Sequence, residues 1–346
     1  MLSSISTARR YFGLLALLWT ALHPISSFAW GYKGHRVVGS IADQLLTDNA
    51  KQHVAQILGF DLKTAGPWLD CVKAVMRKAD GTFSYTTDPN HPEYEVPCTS
   101  FRTPDEQQRM EDYVARNWMQ CSYMTSGVER GCHNTYHFDD VAVQRDRFDR
   151  NYQGTNDHDL VAAMNAAIAV LLGRPSPRPF AIKDKKEALF VLSHLVGDLH
   201  QPLHIGAVYL DSAGRVVDPD VTHTVDPATE TAGGNLITDD RKNFHGEWDA
   251  IPGDLGEAAT PELLTTARGV PADHGRLENW PANWATDTLL IAQEMFSSAS
   301  YAPSGSKWTI TFPDRDAYLR QADGVKRRQL AKAGARLAEV LNAIWP

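Results

Sequence analysis

The chain has 346 residues, 43% of them hydrophobic and 22% charged, with a formal net charge of −8. That balance supports a sizeable core and excludes wholesale disorder. The negative sign is the wrong one for a protein gripping duplex DNA through a broad basic face, but it does not exclude nucleic acid as a substrate where metal ions supply local positive charge. In chain order, Arg9 and Arg10 precede an apolar run from Tyr11 to Leu22, and Ser27-Phe28-Ala29 offers a small-x-small cleavage pattern. These features predict a signal peptide over residues 1–29 for the general secretory route, and the run is too short to anchor the chain in a membrane. Removing it takes away two Arg and no acidic residue, leaving a mature chain from Trp30 at −10.

From Gly34 to Gly59, Val37, Val38, Ile41, Leu45, Leu46, Val54, Ile57 and Leu58 recur at helical spacing, with Gly59 placed to stop the run. A short helix is expected over Trp68–Lys78, then a stapled loop from Gly81 to Thr103 rich in Pro, Gly and Asn. Helices follow over Asp105–Met119 and Asp157–Leu172, and a long, mostly apolar, buried one over Lys183–Leu203, interrupted near Pro202. Ile205 to Ala232, rich in Asp, Thr, Val and Gly, reads as a short hairpin or ordered loop. Helical patterns return at Trp284–Ser297 and Arg315–Ile344. The expectation is one mainly α domain over residues 30–346 with long functional loops. In an exported chain the four cysteines Cys71, Cys98, Cys121 and Cys132 imply two disulfides. Three pairings are open, of which Cys71–Cys98 with Cys121–Cys132 is preferred.

The histidines stand in informative company. His194-Leu-Val-Gly-Asp198 places an imidazole and a carboxylate on one face of a helix at i and i+4, His204 follows, and His245-Gly-Glu-Trp-Asp249 repeats the arrangement. Neutral imidazole nitrogen and carboxylate oxygen converging from one face are what a borderline cation needs. A single such pair is more often a surface ion pair, but the first lies among Phe190, Val191, Leu192, Leu195 and Val196, where an unpartnered carboxylate is costly. His35, Asp70 and His137 are further candidates. Taken singly they also read as a helix-start histidine, a helix carboxylate and a loop residue.

Trp30-Gly-Tyr-Lys-Gly-His35, Trp68-Leu-Asp70, His137-Phe-Asp-Asp140, His194-Leu-Val-Gly-Asp-Leu-His-Gln-Pro-Leu-His204, Gly233-Gly-Asn235 and His245-Gly-Glu-Trp-Asp249 follow one another in order. This series is similar to the trinuclear-zinc, single-strand-specific nuclease and 3′-nucleotidase family, the S-one/P-one nucleases, structural relatives of zinc-dependent phospholipase C. The resemblance implies a multi-helix domain with at most a short β-hairpin, and three zinc ions on nine residues. One ion would be held by Asp70, His137, His194 and Asp198. A second would take His35, Asp198 as a bridge, and the α-amino nitrogen and carbonyl oxygen of Trp30. The third would use His204, His245 and Asp249. Because an amide nitrogen has no lone pair for a metal, signal cleavage before Trp30 would complete the site.

The resemblance further implies that hydroxide shared by two zincs attacks phosphorus in line, zinc having lowered the pKa of water from about 15.7 to roughly 7. The third zinc would stabilise the leaving 3′-oxygen, giving 5′-phosphorylated products. Asp70, Lys73 and Asn235 stand at catalytic positions, with Lys73 and Asn235 near phosphate. Phe138 and Asp140 stand where a nucleobase stacks and hydrogen-bonds. Implied partners are single-stranded DNA and RNA and 3′-phosphorylated nucleotides, met by a secreted or periplasmic monomer. His200, Asp139, His133, His158, His223 and Glu247 receive no role. The chain departs from fungal members in placing all four Cys before His137, and the stretch from Ile205 to Ala232 differs as well. No Asn-x-Ser/Thr sequon occurs. Two other readings use the same residues: a zinc phospholipase C, needing a choline pocket the sequence does not show, and a non-catalytic zinc-binding surface protein.

Overall fold

The computed structural model describes residues 30–346 except 88, 90–94, 126–127 and 224; the segment 1–29 lies outside the described residues. The apolar periodicity from Gly34 to Gly59 is carried by two helices, α1 (Gly31–Leu45) and α2 (Asp48–Leu58). Thr47 is extended and its side chain accepts a hydrogen bond from the Ala50 N–H, an N-cap that ends one helix and starts the next. Gly59, at φ 79°, closes α2 in the left-handed region.

Two short helices follow, α3 (Leu62–Ala65) and α4 (Trp68–Val72). The helix expected to reach Lys78 therefore stops early. The N–H groups of Lys73 and Ala74 turn back to the carbonyls of Asp70 and Cys71, and Val75–Arg77 becomes a strand paired antiparallel with Phe83–Tyr85. Cys71 is bonded to Cys98 and Cys121 to Cys132, stapling this region to the body.

Three longer helices follow: α5 (Pro104–Arg116), which buries only Met110, Tyr113 and Val114, and the largely buried α6 (Leu160–Leu171) and α7 (Lys185–Leu199). Each begins on an oxygen cap, Thr103, Asp159 and Asp184 respectively. Every residue of α7 from Glu187 to Leu199 is buried, as its apolar run predicted, and α7 packs against α1 and α6. It ends before Pro202, which opens a 3₁₀ turn over Pro202–His204.

Beyond the turn, Tyr209–Leu210 pairs with Val216–Val217 as a short hairpin, followed by α8 (Pro219–Thr222). Then come α9 (Phe244–Asp249), α10 (Pro261–Arg268), α11 (Trp280–Phe296) and the thirty-residue α12 (Arg315–Ile344), which packs on α1, α7 and α10. A small sheet in the order Lys242–Asn243, Ile237–Asp239, Lys307–Thr311, Ser300–Ser304 lies beside α9. A large core contains Trp30, Trp68 and Trp284, and a second one under α9 contains Phe244, Trp248, Trp308 and Tyr318. The architecture is mainly α, and no helix among the described residues is long and apolar enough to cross a membrane.

Candidate metal centre

Six elements deliver side chains to one interior point. α7 contributes His194 and Asp198 from one face, α1 contributes His35, and α4 contributes Asp70. His137 ends a 3₁₀ turn over Cys132–His137, His204 ends the turn after α7, and α9 contributes His245 and Asp249. All eight are buried, none more than 6% exposed. Among the described residues they make three groups in which one ligand atom per residue lies within 4.8 Å of the others. These are His35–His194–Asp198, Asp70–His137–His194 and His204–His245–Asp249, with His194 shared by the first two.

Asp198 is the hub of the first two groups. Its Oδ1 lies 3.3 Å from His35 Nε2, and its Oδ2 lies 3.3 Å from His194 Nε2 and 2.9 Å from His137 Nδ1. The His35 and His194 rings stack with centroids 3.7 Å apart. This approach depends on Gly197, because a Cβ there would stand 2.8 Å from His35 Nδ1 and 3.8 Å from the indole of Trp30. Trp30 itself is fully buried at the start of α1, in the left-handed region at φ 43°.

The hydrogen bonds set the tautomers. His194 Nδ1 donates to the Gly66 carbonyl at 2.8 Å, which leaves its Nε2 a bare lone pair. His204 Nδ1 donates to the His137 carbonyl and His245 Nδ1 to the Gly233 carbonyl, each at 2.6 Å. In the neutral tautomers that these bonds select, their Nε2 lone pairs face each other 3.1 Å apart. Two opposed lone pairs beside the Asp249 carboxylate, 3.5 Å from His245 Nε2, repel unless a cation lies among them. Asp70 Oδ2, Asp198 Oδ1, His137 Nε2 and His194 Nε2 are likewise buried without a hydrogen-bond partner. Such orphaned donors fit a metal, and imidazole with carboxylate is the donor set of a borderline ion such as zinc.

The electrostatics agree. Burial drives His137 and His204 well below the usual imidazole range, aided by Lys73 and by His245 respectively, and takes His194 down to about 4. All three are thus in the neutral form that binds metal. Burial, and then the charge of Asp70, pushes Asp198 well above the usual carboxylate range. Burial would raise Asp70 too, but Lys73 and then His194 and His35 hold it down.

Lys73 reaches Asp70 Oδ1 at 2.7 Å, at the edge of the cluster. Phe138 is 36% exposed, an aromatic face beside buried His137. Asp140 is pushed up to about 7, by burial first and Glu230 next, against a lowering contact from the Gly233 N–H. Asn235 lies in the turn that carries the His245-accepting carbonyl, and its Nδ2 donates to Ala232 O. Gly233 cannot be replaced cheaply: its φ is +55°, and a Cβ would stand 2.6 Å from the Leu203 carbonyl.

Of the histidines without a role, His200 turns away to Arg336 and His133 is buried apart from the three groups. Asp139 is buried against Asp159, which Arg150 pairs. One contributor escaped the sequence reading. Gln201, fully buried, donates from Nε2 to Asp249 Oδ1 at 2.8 Å and accepts the Leu203 N–H at 2.6 Å. Its only sequence signal is its place between His194 and His204.

Comparison with known proteins identifies the family. The family model described as S1/P1 Nuclease matches residues 30–121 and 120–346. Two Arabidopsis thaliana proteins, Endonuclease 4 and Endonuclease 2, are each 22% identical to this chain; the first alignment covers 98% of the chain and 96% of the relative, the second 96% of both. A third, Endonuclease 1, is 23% identical over 46% of the chain. With a family match running from Trp30 to the last residue and a buried imidazole–carboxylate centre at its heart, this chain belongs to the S1/P1 nuclease family.

Proposed function

We propose that residues 30–346 form one zinc-dependent endonuclease domain that hydrolyses single-stranded DNA and RNA to 5′-phosphorylated products and also removes phosphate from 3′-nucleotides. The observation that carries the reading is the set of three buried imidazole–carboxylate groups, two of them sharing His194, with unpartnered Nε2 atoms at His137 and His194. Asp70, His137, His194 and Asp198 would hold one ion; His35, Asp198 and the Trp30 terminus a second; His204, His245 and Asp249 a third. Zinc bound there supplies Lewis-acid charge and lowers the pKa of water it binds.

The remaining work falls to the chain. Lys73 and Asn235 bind and orient the phosphate, and Asp70 keeps Lys73 at the cluster's edge. Phe138 offers a face on which a base stacks without sequence being read, worth about 1–3 kcal/mol. Asp140 hydrogen-bonds that base. A duplex base must first unstack and unpair, which favours single strands. The names of the Arabidopsis relatives support a nucleic-acid substrate. Signal cleavage before Trp30, release to the periplasm or medium, and a monomeric state complete the proposal.

The test uses mature chain with a verified Trp30 N-terminus, offered single-stranded and duplex DNA and, in parallel, phosphatidylcholine, with chelator and then with zinc restored. Zinc-restorable cutting of the single strand to 5′-phosphorylated ends is expected. Lipid hydrolysis without nucleic-acid cleavage would overturn the substrate assignment, and silence on every substrate with zinc bound would overturn catalysis.

A further inference from the structure

α12 lies beyond the motifs that carry the metal centre, yet it places buried polar side chains against them. Lys326, Gln329 and Arg336 share one face of the helix and are 8%, 1% and 7% exposed. Charged groups are buried this deeply only with partners. Lys326 Nζ donates to the Glu247 carbonyl at 2.6 Å and to the Ala250 carbonyl at 2.8 Å. Those carbonyls bracket Asp249 at the end of the six-residue α9, where the last carbonyls lack helical partners. The ammonium also stands 5.5 Å from the Trp248 ring centre.

Gln329 Nε2 donates to the His200 carbonyl at 2.9 Å. Arg336 Nη1 donates to His200 Nε2 at 3.1 Å, while His200 Nδ1 donates to the Val196 carbonyl at 2.7 Å. Arg336 is itself paired with Asp287. His200 caps α7, two residues after Asp198 and four before His204. The imidazole that binds nothing in the centre is thus the grip by which α12 holds the end of α7.

We propose that α12 sets the spacing of the metal centre through two latches, Lys326 on the end of α9 and Gln329 with Arg336 on the end of α7, making these three positioning residues for the ligands. One continuous helix, with Lys326 and Gln329 about 4.5 Å apart along its axis, holds both ligand-bearing ends in register. The inference rests on the zinc reading above. It assigns Lys326 specifically to the His204–His245–Asp249 group, the group whose Asp249 is also held from inside by Gln201.

The test measures zinc per chain by mass spectrometry across a series of zinc buffers, for mature wild type, Lys326→Met, Lys326→Arg, Asp249→Ala and the Lys326→Met/Asp249→Ala double variant. Lys326→Met is expected to weaken one zinc of the three by about 10–100-fold and leave the other two unchanged, the usual scale for a partner of a ligand. Lys326→Arg, which keeps the donors, should restore that zinc. In the Asp249→Ala background Lys326→Met should cause no further loss, since the site it serves is already gone. Equal weakening of all three ions, no weakening, or added loss in the Asp249→Ala background would overturn the inference. Should Lys326→Met fail to fold, Lys326→Gln carries the same comparison. Wild type binding fewer than three zinc ions would instead refute the underlying reading.

Discussion

Asp198→Asn tests the centre most sharply, because its effect on stability should change sign with metal. The substitution replaces a fully buried carboxylate whose oxygens lie 2.9–3.3 Å from three imidazole nitrogens. Without metal that carboxylate is a burden: burial first, and Asp70 next, raise its pKa in the folded chain above the ordinary 3.8. An acid raised on folding removes stability as pH climbs from its unfolded pKa through its folded one. Metal-free Asp198→Asn should therefore be more stable than metal-free wild type at neutral pH, with the gap closing below about pH 4. With zinc the order reverses. Each site filled at a thousand times its dissociation constant contributes about 4 kcal/mol. Losing the two ions proposed to share Asp198 would remove about 8 kcal/mol, on the order of 16 °C in Tm at about 2 °C per kcal/mol. Calorimetric melts of both proteins in chelator and in zinc, with turnover on single-stranded DNA alongside, read this directly. A variant that melts lower than wild type in chelator, or keeps the full zinc-dependent rise, would refute the reasoning.

Phe138→Ala should weaken nucleotide binding by about 5–150-fold, the equivalent of one lost stacking contact, while zinc content stays unchanged; titration calorimetry and metal analysis of the same sample compare the two, and parallel losses would remove Phe138 from base recognition. Zinc should be retained below the ordinary imidazole range and released as pH falls toward about 4, where His194 protonates. The imidazoles depressed by burial make a contribution to metal-free stability that is complete above about 6.5 and lost as pH falls through the folded pKa; full zinc release already at pH 6 in dialysis would contradict this. Gly197→Ala forces a Cβ to within 2.8 Å of His35 Nδ1 and should cost about 1–3 kcal/mol in urea unfolding together with zinc from the Asp198 pair. A variant with normal zinc content would show that His35 can move aside.

The most legible elements in the sequence were those whose burial is continuous. α7 reads from its apolar run, and because His194 and Asp198 interrupt that run at helical spacing, the centre reads with it. α12 is legible to its ends, Arg315 and Ile344. Elements held by tertiary partners were not. Val75–Arg77 carries no strand alternation and forms only because Phe83–Tyr85 lies opposite. Ser300–Ser304 is mostly exposed and contains Pro303, which argues against a strand, yet it pairs along its length with Lys307–Thr311. The break at Thr47 was hidden because apolar residues on both sides keep one period, although its capping oxygen was there to be read. In the centre, ligand side chains announce themselves by type, but the groups that aim them are backbone carbonyls. Gly66 O, Gly233 O and His137 O belong to residues whose identity says nothing about their acceptor's direction.

Cys71 directly follows Asp70, and its bond to Cys98 fastens the one-turn segment that carries both Asp70 and Lys73. α4 is too short to hold itself, and its N–H groups are only partly satisfied by its own carbonyls. The oxidation state of a sulfur pair is thereby written into the reach of a carboxylate. In a reducing compartment the segment relies on packing and a few backbone hydrogen bonds, and the centre loses part of its frame. The end of the centre that carries Asp70 and Lys73 is consequently best framed in an oxidising environment and least well framed where thiols stay reduced.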